Sequence, residues 1–279
     1  MLYAKYAEAS GYKSVVVHSP DSDVFFILLY YAHECQLNIF FDTGSSSKRR
    51  MFNISDLAVE LGEEYSESIL GLYVFTGEDT NCAFKGKGKV LPLKKLQQNP
   101  RYQNMFKSLG NNLSLPESLQ EKLEEFTCLL YGFPRVKSVD SVRALMMKKM
   151  VGDSEKIVAS SKVDLSRLPP CHSSLVPHMK RVNYRLHLWK SAHRNIVELQ
   201  SATHHGWRQG HIYLEPVWTE GQVLPATLVD LLATETSIDD VEDDLLYEEE
   251  VLSSEEESDE HITCSYCNIF QKLIISIVQ

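Results

Sequence analysis

The sequence predicts an α/β protein, a parallel sheet with flanking helices followed by a mainly helical extension. Three observations carry this expectation. Lys13-Ser14-Val15-Val16-Val17-His18 is a β-branched run bounded by Gly11 and Pro20, which suits a buried strand. Asn38-Ile39-Phe40-Phe41 reads as a second strand. The apolar stretch from Val24 to Tyr31 between them suits a helix, although its periodicity alone also admits a strand. Strand, helix, strand at this spacing is the pattern of parallel strands joined by a helical crossover.

The other elements follow in chain order. Leu2 to Ala9 reads as a short helix, Ser19 to Asp23 as a turn, and Asp42 to Ser47 as a loop ending the second strand. Helices are expected over 55–61 and 67–75, and again after Gly88. Ser114-Leu115-Pro116-Glu117 fits a capping box with Pro near the first turn, opening a helix to about Leu130 that Gly132-Phe133-Pro134 stops. In the stretch that follows, Leu175, Met179, Val182, Leu186 and Trp189 fall at three-four spacing, predicting a helix from Ser174 to about Ala192. The expected organisation is a sheet-containing domain over 1–130, a mainly helical extension over 131–234, an acidic disordered linker over 235–260 and a short Cys-containing tail over 261–279.

The chain has 279 residues, 43% hydrophobic and 24% charged, which excludes collagen-like, mainly disordered and mainly membrane-embedded classes. Its net charge of −10 is unevenly spread. Fourteen of the 38 acids lie between Glu235 and Glu260, where there is no Lys or Arg, leaving 24 acids against 28 bases elsewhere. A mildly basic body with an acidic tail is compatible with a nucleic-acid partner. The acidic tract is expected to compete with that partner by folding over a basic groove.

The six cysteines are scattered apart from Cys264 and Cys267, which suits a reducing compartment better than a disulfide framework. No apolar leader opens the sequence and no run reaches the roughly 18 apolar residues of a membrane span. An intracellular protein that is not secreted and makes no membrane contact is expected.

Two constellations carry possible chemistry. Asp21-Ser22-Asp23 places two carboxylates after a buried strand, at the carboxyl end of the sheet, where open α/β folds hold their sites. Such oxygen ligands suit Mg²⁺ or Mn²⁺; the alternative is that they cap the following helix. Thr76-Gly77-Glu78-Asp79-Thr80 again follows an apolar segment and leads into Lys85-Gly86-Lys87-Gly88-Lys89. Glycines there let backbone N–H groups approach a phosphate while the lysines supply charge; the alternative is a solvated turn. A Walker A loop is excluded, since Ala83 and Val90 occupy positions that motif reserves for Gly and Ser or Thr.

Further along, Cys171, His172, His178, His204, His205 and His211 have poor spacing for zinc, so hydrogen-bonded histidines are expected instead. Lys180, Arg181, Arg185, Lys190 and Arg194 form a basic helix face, either for phosphates or merely solvated. Cys264-Ser265-Tyr266-Cys267 has half the spacing of a zinc ribbon.

Taken in order, VVVHSPDSDVFFILL resembles the strand and acidic turn of flap-endonuclease and XPG-type nucleases of the PIN-like superfamily. GLYVFTGEDTNCAFKGKGKVLPLKKL is similar to their Gly-x-Asp motif and glycine-rich helix–two-turn–helix. The likeness is stronger to transposon-like metazoan proteins with an HSPDTDV … TGCDTTSAFFGKGK pattern. Leu168-Pro169-Pro170-Cys171, His178, Arg181-Val182-Asn183-Tyr184 and Trp189 match the downstream signature of those proteins. The resemblance spans most of residues 1–220.

It implies a PIN-like domain in which Asp21, Asp23 and Asp79 are catalytic, and these three with Glu78 hold Mg²⁺ or Mn²⁺. Lys85, Gly86, Lys87, Gly88 and Lys89 would meet the backbone of DNA or RNA, and a nuclear location would follow. The implied reaction is metal-dependent phosphodiester hydrolysis. The sequence departs from the pattern in three ways. Met1-Leu2-Tyr3-Ala4 aligns just after an acidic helix start, so the family's upstream acids are missing. Glu78 stands where Cys is usual, and Asn81 where Thr is common. A degenerate nuclease is therefore expected, with a non-catalytic nucleic-acid-binding or protein-interaction module as the alternative.

Overall fold

A computed structural model describes residues 1–44, 46–151, 164–198 and 200–221. The acidic linker over 235–260 and the tail over 261–279, with Cys264 and Cys267, lie outside the described residues.

Helix α1 (Leu2–Ala9) precedes strand β1 (Ser14–His18), and helix α2 (Ser22–Tyr31) crosses to strand β2 (Asn38–Thr43). The two strands pair in parallel, Val16 opposite Phe40 and His18 opposite Asp42. The sheet is not wholly parallel as expected. A third strand, β3 (Arg50–Asn53), pairs antiparallel with β2, giving the order β1-β2-β3. The loop read after Phe41 is instead the end of β2, and Gly44 then turns the chain with φ of +82°. A Cβ on Gly44 would meet the Lys48 carbonyl oxygen at 2.4 Å, so only glycine permits so tight a return.

The β1 run reads as buried on both faces, yet only one face is covered. Ile39 and Phe41 of β2 are fully buried, whereas Val16 is 55% exposed. Most of the buried apolar core lies in the helical layer. This layer comprises α3 (Ile54–Leu61), α4 (Glu63–Phe75), α5 (Val90–Gln97), α6 (Pro100–Ser108), α7 (Glu117–Leu130), α8 (Val139–Val151) and α9 (His172–Trp189). Helix α4 is buried at Tyr65 and Ser66 and from Ser68 to Phe75. Its Gly71 lies against the backbone of Phe106 on α6, where a Cβ would come within 2.4 Å of the carbonyl oxygen. The Phe75 ring meets Phe84, Phe106, Phe126 and His178. One apolar core runs from Phe25 through these rings to Leu175, Met179, Val182 and Leu186 of α9, the stripe that the three-four spacing predicts.

Two expectations need correction. The capping box does not form: α7 starts at Glu117, after an extended Pro116 and with no side-chain cap. Among the described residues after α9 there is no helix. That stretch holds an antiparallel hairpin of β4 (Trp207–Gln209) and β5 (Leu214–Pro216). Gly206, at φ +80°, packs against the Pro177 carbonyl oxygen of α9 and seats the hairpin there. Among the described residues no helix is long and apolar enough to cross a membrane.

Candidate functional site

The turn after β1 divides its two acids. Asp21 is exposed and caps α2, its Oδ1 accepting the Asp23 backbone N–H at 2.8 Å. Capping is thus what Asp21 does locally, and negative charge is favoured at that helix end. Asp23, in the first turn, points inward and is 8% exposed. Its Oδ1 accepts the Tyr73 hydroxyl at 2.8 Å, and the Ser22 hydroxyl lies 2.9 Å from the same phenol oxygen. Burial raises the Asp23 carboxyl above its ordinary range, the Tyr73 bond opposes this, and nearby Asp21 and Glu78 add to it.

The turn after α4 divides its acids the same way. Gly77 adopts φ of +109°, and a Cβ there would meet Ala83 at 2.6 Å. Glu78 and Asn81 exchange backbone hydrogen bonds of 3.1 and 3.2 Å, closing the turn with Asp79 exposed at its tip. The Glu78 side chain is 0% exposed. Its Oε1 accepts from Asn81 Nδ2 and the Thr80 hydroxyl, and its Oε2 accepts the Thr80 backbone N–H at 2.9 Å.

Asp23 and Glu78 meet at a residue from the far end of the chain. Arg185 of α9 places Nη2 3.7 Å from Asp23 Oδ2 and 3.8 Å from Glu78 Oε2, with its guanidinium over the Trp189 ring. These are charge contacts, too long for hydrogen bonds. Lys89 supplies a second cation. Its Nζ donates to the Tyr73 carbonyl at 2.7 Å, to Thr76 Oγ1 at 3.0 Å and to the Gly77 carbonyl, and it lies over the Tyr73 ring. It therefore closes the carboxyl end of α4 rather than reaching outward. Burial pushes its ammonium down to about 7, with Glu78 and Asp23 pulling the other way.

The glycine–lysine loop is only partly available to a ligand. Lys85 bonds the Ser166 hydroxyl and pairs with Asp164 at 3.5 Å, and Lys87 lies over the Tyr131 ring. Gly86 and Gly88 have φ of +76° and +47°, with nothing near their Cβ positions, so this backbone is open.

The basic face of α9 is neither free nor simply solvated. Lys180 pairs with Glu220, Arg181 is buried and donates to the carbonyls of Gly206 and Val217, and Lys190 bonds the Lys107 carbonyl and Asn111. The histidines serve structure as well. His178 bonds the Phe75 carbonyl, burial pushing it down to about 4; His172 pairs with Glu124, and His205 stacks on Tyr184.

Of the four acids that the resemblance makes metal ligands, Asp23 and Glu78 face Arg185 together, Asp21 lies beside Asp23 but is exposed, and Asp79 is exposed at the tip of its turn. Among the described residues no three His, Cys, Asp or Glu side chains form a group able to hold a metal ion. This pair, facing two cations of the chain itself, does not fit the acid-rich two-cation centre that the resemblance implies. Two polar atoms in or beside the cluster are buried without a hydrogen-bond partner, Asn81 Oδ1 and Arg185 Nε.

Sequence reasoning misses Tyr73, the structural role of Lys89, and Arg185 as a partner of the acids. It also misses Asp42, 2% exposed at the carboxyl end of β2. Arg49 holds Asp42 in a two-pronged grip at 2.9 and 2.7 Å, with His18 at 3.0 Å. Arg49 first and His18 second keep that carboxyl below its ordinary range. The rule that singles out Asp21 and Asp23, an acid closing an apolar strand, would have found it.

The fold and site thus define an α/β chain whose two acidic turns meet across an arginine. Comparison with protein-family models, curated proteins and solved structures finds no match to this chain.

Proposed function

We propose that this chain is a nuclease-like module of PIN-like descent that binds nucleic acid and has lost metal-dependent hydrolysis. One observation carries the reading: the inward acids of the two motifs, Asp23 and Glu78, share the Arg185 guanidinium. The meeting of these sequence-distant motifs beyond β1 and α4 supports a common ancestry with nucleases. A cation of the chain beside the carboxylates, and Asp21 and Asp79 turned to solvent, supports loss of the reaction. Nucleic-acid binding rests on the resemblance and on the open Gly86–Gly88 backbone, with exposed Lys85 before it and half-buried Lys87 within it. There the backbone N–H groups and the two ammonium groups would take phosphates, and Lys89 would stay with α4.

The test pairs binding with cutting. Labelled single-stranded and flap substrates in Mn²⁺ should be bound and left intact. Joint Lys85→Ala and Lys87→Ala substitution should flatten the dependence of log affinity on log salt by about 1.4 to 1.8. Cutting that Asp23→Asn with Glu78→Gln abolishes would show a working hydrolase. Absence of binding to DNA and RNA at low salt would remove the nucleic-acid reading altogether.

A further inference from the structure

Strand β1 lies at an edge of the sheet, yet its sequence is not that of an edge strand. Its only strand neighbour among the described residues is β2. The Asn38 N–H donates to the Lys13 carbonyl at 3.0 Å, and the Ser19 N–H to the Asp42 carbonyl at 3.0 Å. The odd-numbered residues from Lys13 to Ser19 therefore turn their main chain toward β2. Ser14, Val16 and His18 aim their N–H and C=O groups the other way, and all three residues are exposed. Proteins blunt such edges with charge, proline, bulges or short strands. The opposite edge follows that rule, since β3 has four residues and opens on Arg50. Between Ser14 and His18 there is no Lys, Arg, Pro or bulge, and three consecutive valines suit a strand within a sheet rather than at its rim.

What can pair there is read from the sequence outside the described residues. Residues 152–163 are mostly polar, and 235–260 are acidic. In 222–234, Leu224, Leu228, Leu231 and Leu232 follow a helical spacing around Pro225. Leu273-Ile274-Ile275-Ser276-Ile277-Val278 is the one run among these that is apolar and β-branched over the length of a strand. Both of its alternating faces carry apolar residues. That suits a place beside β1, where Val16 lies on one side of the sheet and half-buried Val15 and Val17 on the other. Some fifty residues separate Gly221 from Leu273. A coiled chain of that length spans about 40 Å on average, against a radius of gyration of about 17 Å for a folded body of this size. A tether also decides between this segment and a separate chain. A five-residue edge is small beside the roughly 1,200–2,000 Å² that stable interfaces bury, whereas a tethered strand meets it at millimolar effective concentration.

From this we infer that residues 273–278 add to the free edge of β1 as a further strand, so that the chain covers its own edge. The inference is independent of the nucleic-acid reading and stands or falls without it.

The experiment follows amide hydrogen exchange by NMR in the full chain. The Val16 and His18 amides should be protected, to the same degree at low and high protein concentration. Ile275→Asp with Ile277→Asp should speed their exchange by at least about tenfold. The Phe40 amide, which faces β1 from β2, reports that the sheet stays folded and should keep its protection. Val16→Asp, at an exposed position, should in turn release the amides of 273–278.

Three results overturn the inference. Unprotected Val16 and His18 amides in the wild type would mean an open edge. Protection that survives the paired Ile275 and Ile277 substitutions would mean that another segment holds it. Protection lost on dilution would make the occupant a second copy of the chain. Should the paired variant also lose the Phe40 protection, Val16→Asp decides: release of the 273–278 amides supports the strand, and unchanged exchange there counts against it.

Discussion

The turn after β1 and the turn after α4 are built to one plan, each giving one carboxylate to solvent and one to the interior. They differ in what holds the inward acid. Asp23 is held from another element, by the Tyr73 hydroxyl on α4. Glu78 is held by its own turn, through Thr80 and Asn81. The first acid ties the sheet side of the molecule to the helical layer, whereas the second stiffens the loop that carries it. Arg185 then joins the two. Residue type does not sort the acids, since aspartates lie both inside and outside; position on the turn decides.

The sharpest way to break this arrangement is to remove the fully buried member. Glu78→Ala leaves Asn81 Nδ2, the Thr80 N–H and the Arg185 charge without their anion. Removing one partner from a buried charge group costs about 3–5 kcal/mol, and that loss is expected in denaturant unfolding of this variant. A loss below about 1 kcal/mol would mean that water reaches the turn and replaces the carboxylate.

Lys89 tests the cationic side through pH. Its folded value of about 7 lies below the ordinary 10.5, so between those limits the unfolded chain holds a proton that the folded chain lacks. Stability gained from this group therefore rises with pH across that window, by at most about 1.4 kcal/mol per unit. Lys89→Met removes the titration. The difference in unfolding free energy, wild type minus Lys89→Met, should climb between pH 7 and 9. A flat difference would show that the carbonyls of Tyr73 and Gly77 keep the ammonium charged throughout. Asp23→Asn is the milder change on the acid side, because its amide oxygen still accepts from Tyr73. Only the charge facing Arg185 is lost, and because burial already disfavours that charge the variant should stay within about 1 kcal/mol of the wild type at neutral pH in the same denaturant measurement.

How much of this was legible in the sequence follows from the range of the interactions. Helix α1, β1, α2 and the buried stripe of α9 announce themselves through local spacing and composition, and they form. Strand β3 has four residues and the strands of the late hairpin three each, too few for a period to show. Coverage of β1 was overread, since Val15-Val16-Val17 looks alike on both faces while only one is packed. The two acidic motifs were legible as places where chemistry collects. Which acid of each pair turns inward was not. For Glu78 and Asp79 that choice follows from Gly77, at φ +109°, and the Glu78–Asn81 bridge, neither of which has a local period. Arg185 was legible only as one of five basic residues from Lys180 to Arg194, three of which lie on α9. Its pairing with Asp23 and Glu78 depends on how α9 packs across α4, a contact no local pattern encodes.

The smallest effect separates the outward acids from each other. Asp21 accepts the Asp23 N–H at 2.8 Å and so satisfies one donor of the α2 amino end, whereas exposed Asp79 shows no such role at the tip of its turn. Asp21→Ala should cost about 1 kcal/mol, as the loss of a helix cap does. Asp79→Ala should stay within about 0.5 kcal/mol of the wild type, as surface changes away from such features do. Parallel denaturant titrations resolve that gap if the slopes are equal. Equal costs for the two would mean that Asp79 also supports its turn. A cost for Asp79→Ala that appears only with nucleic acid bound would instead make the outward acid a contact of the ligand, and the two turns would then differ in function as well as in support.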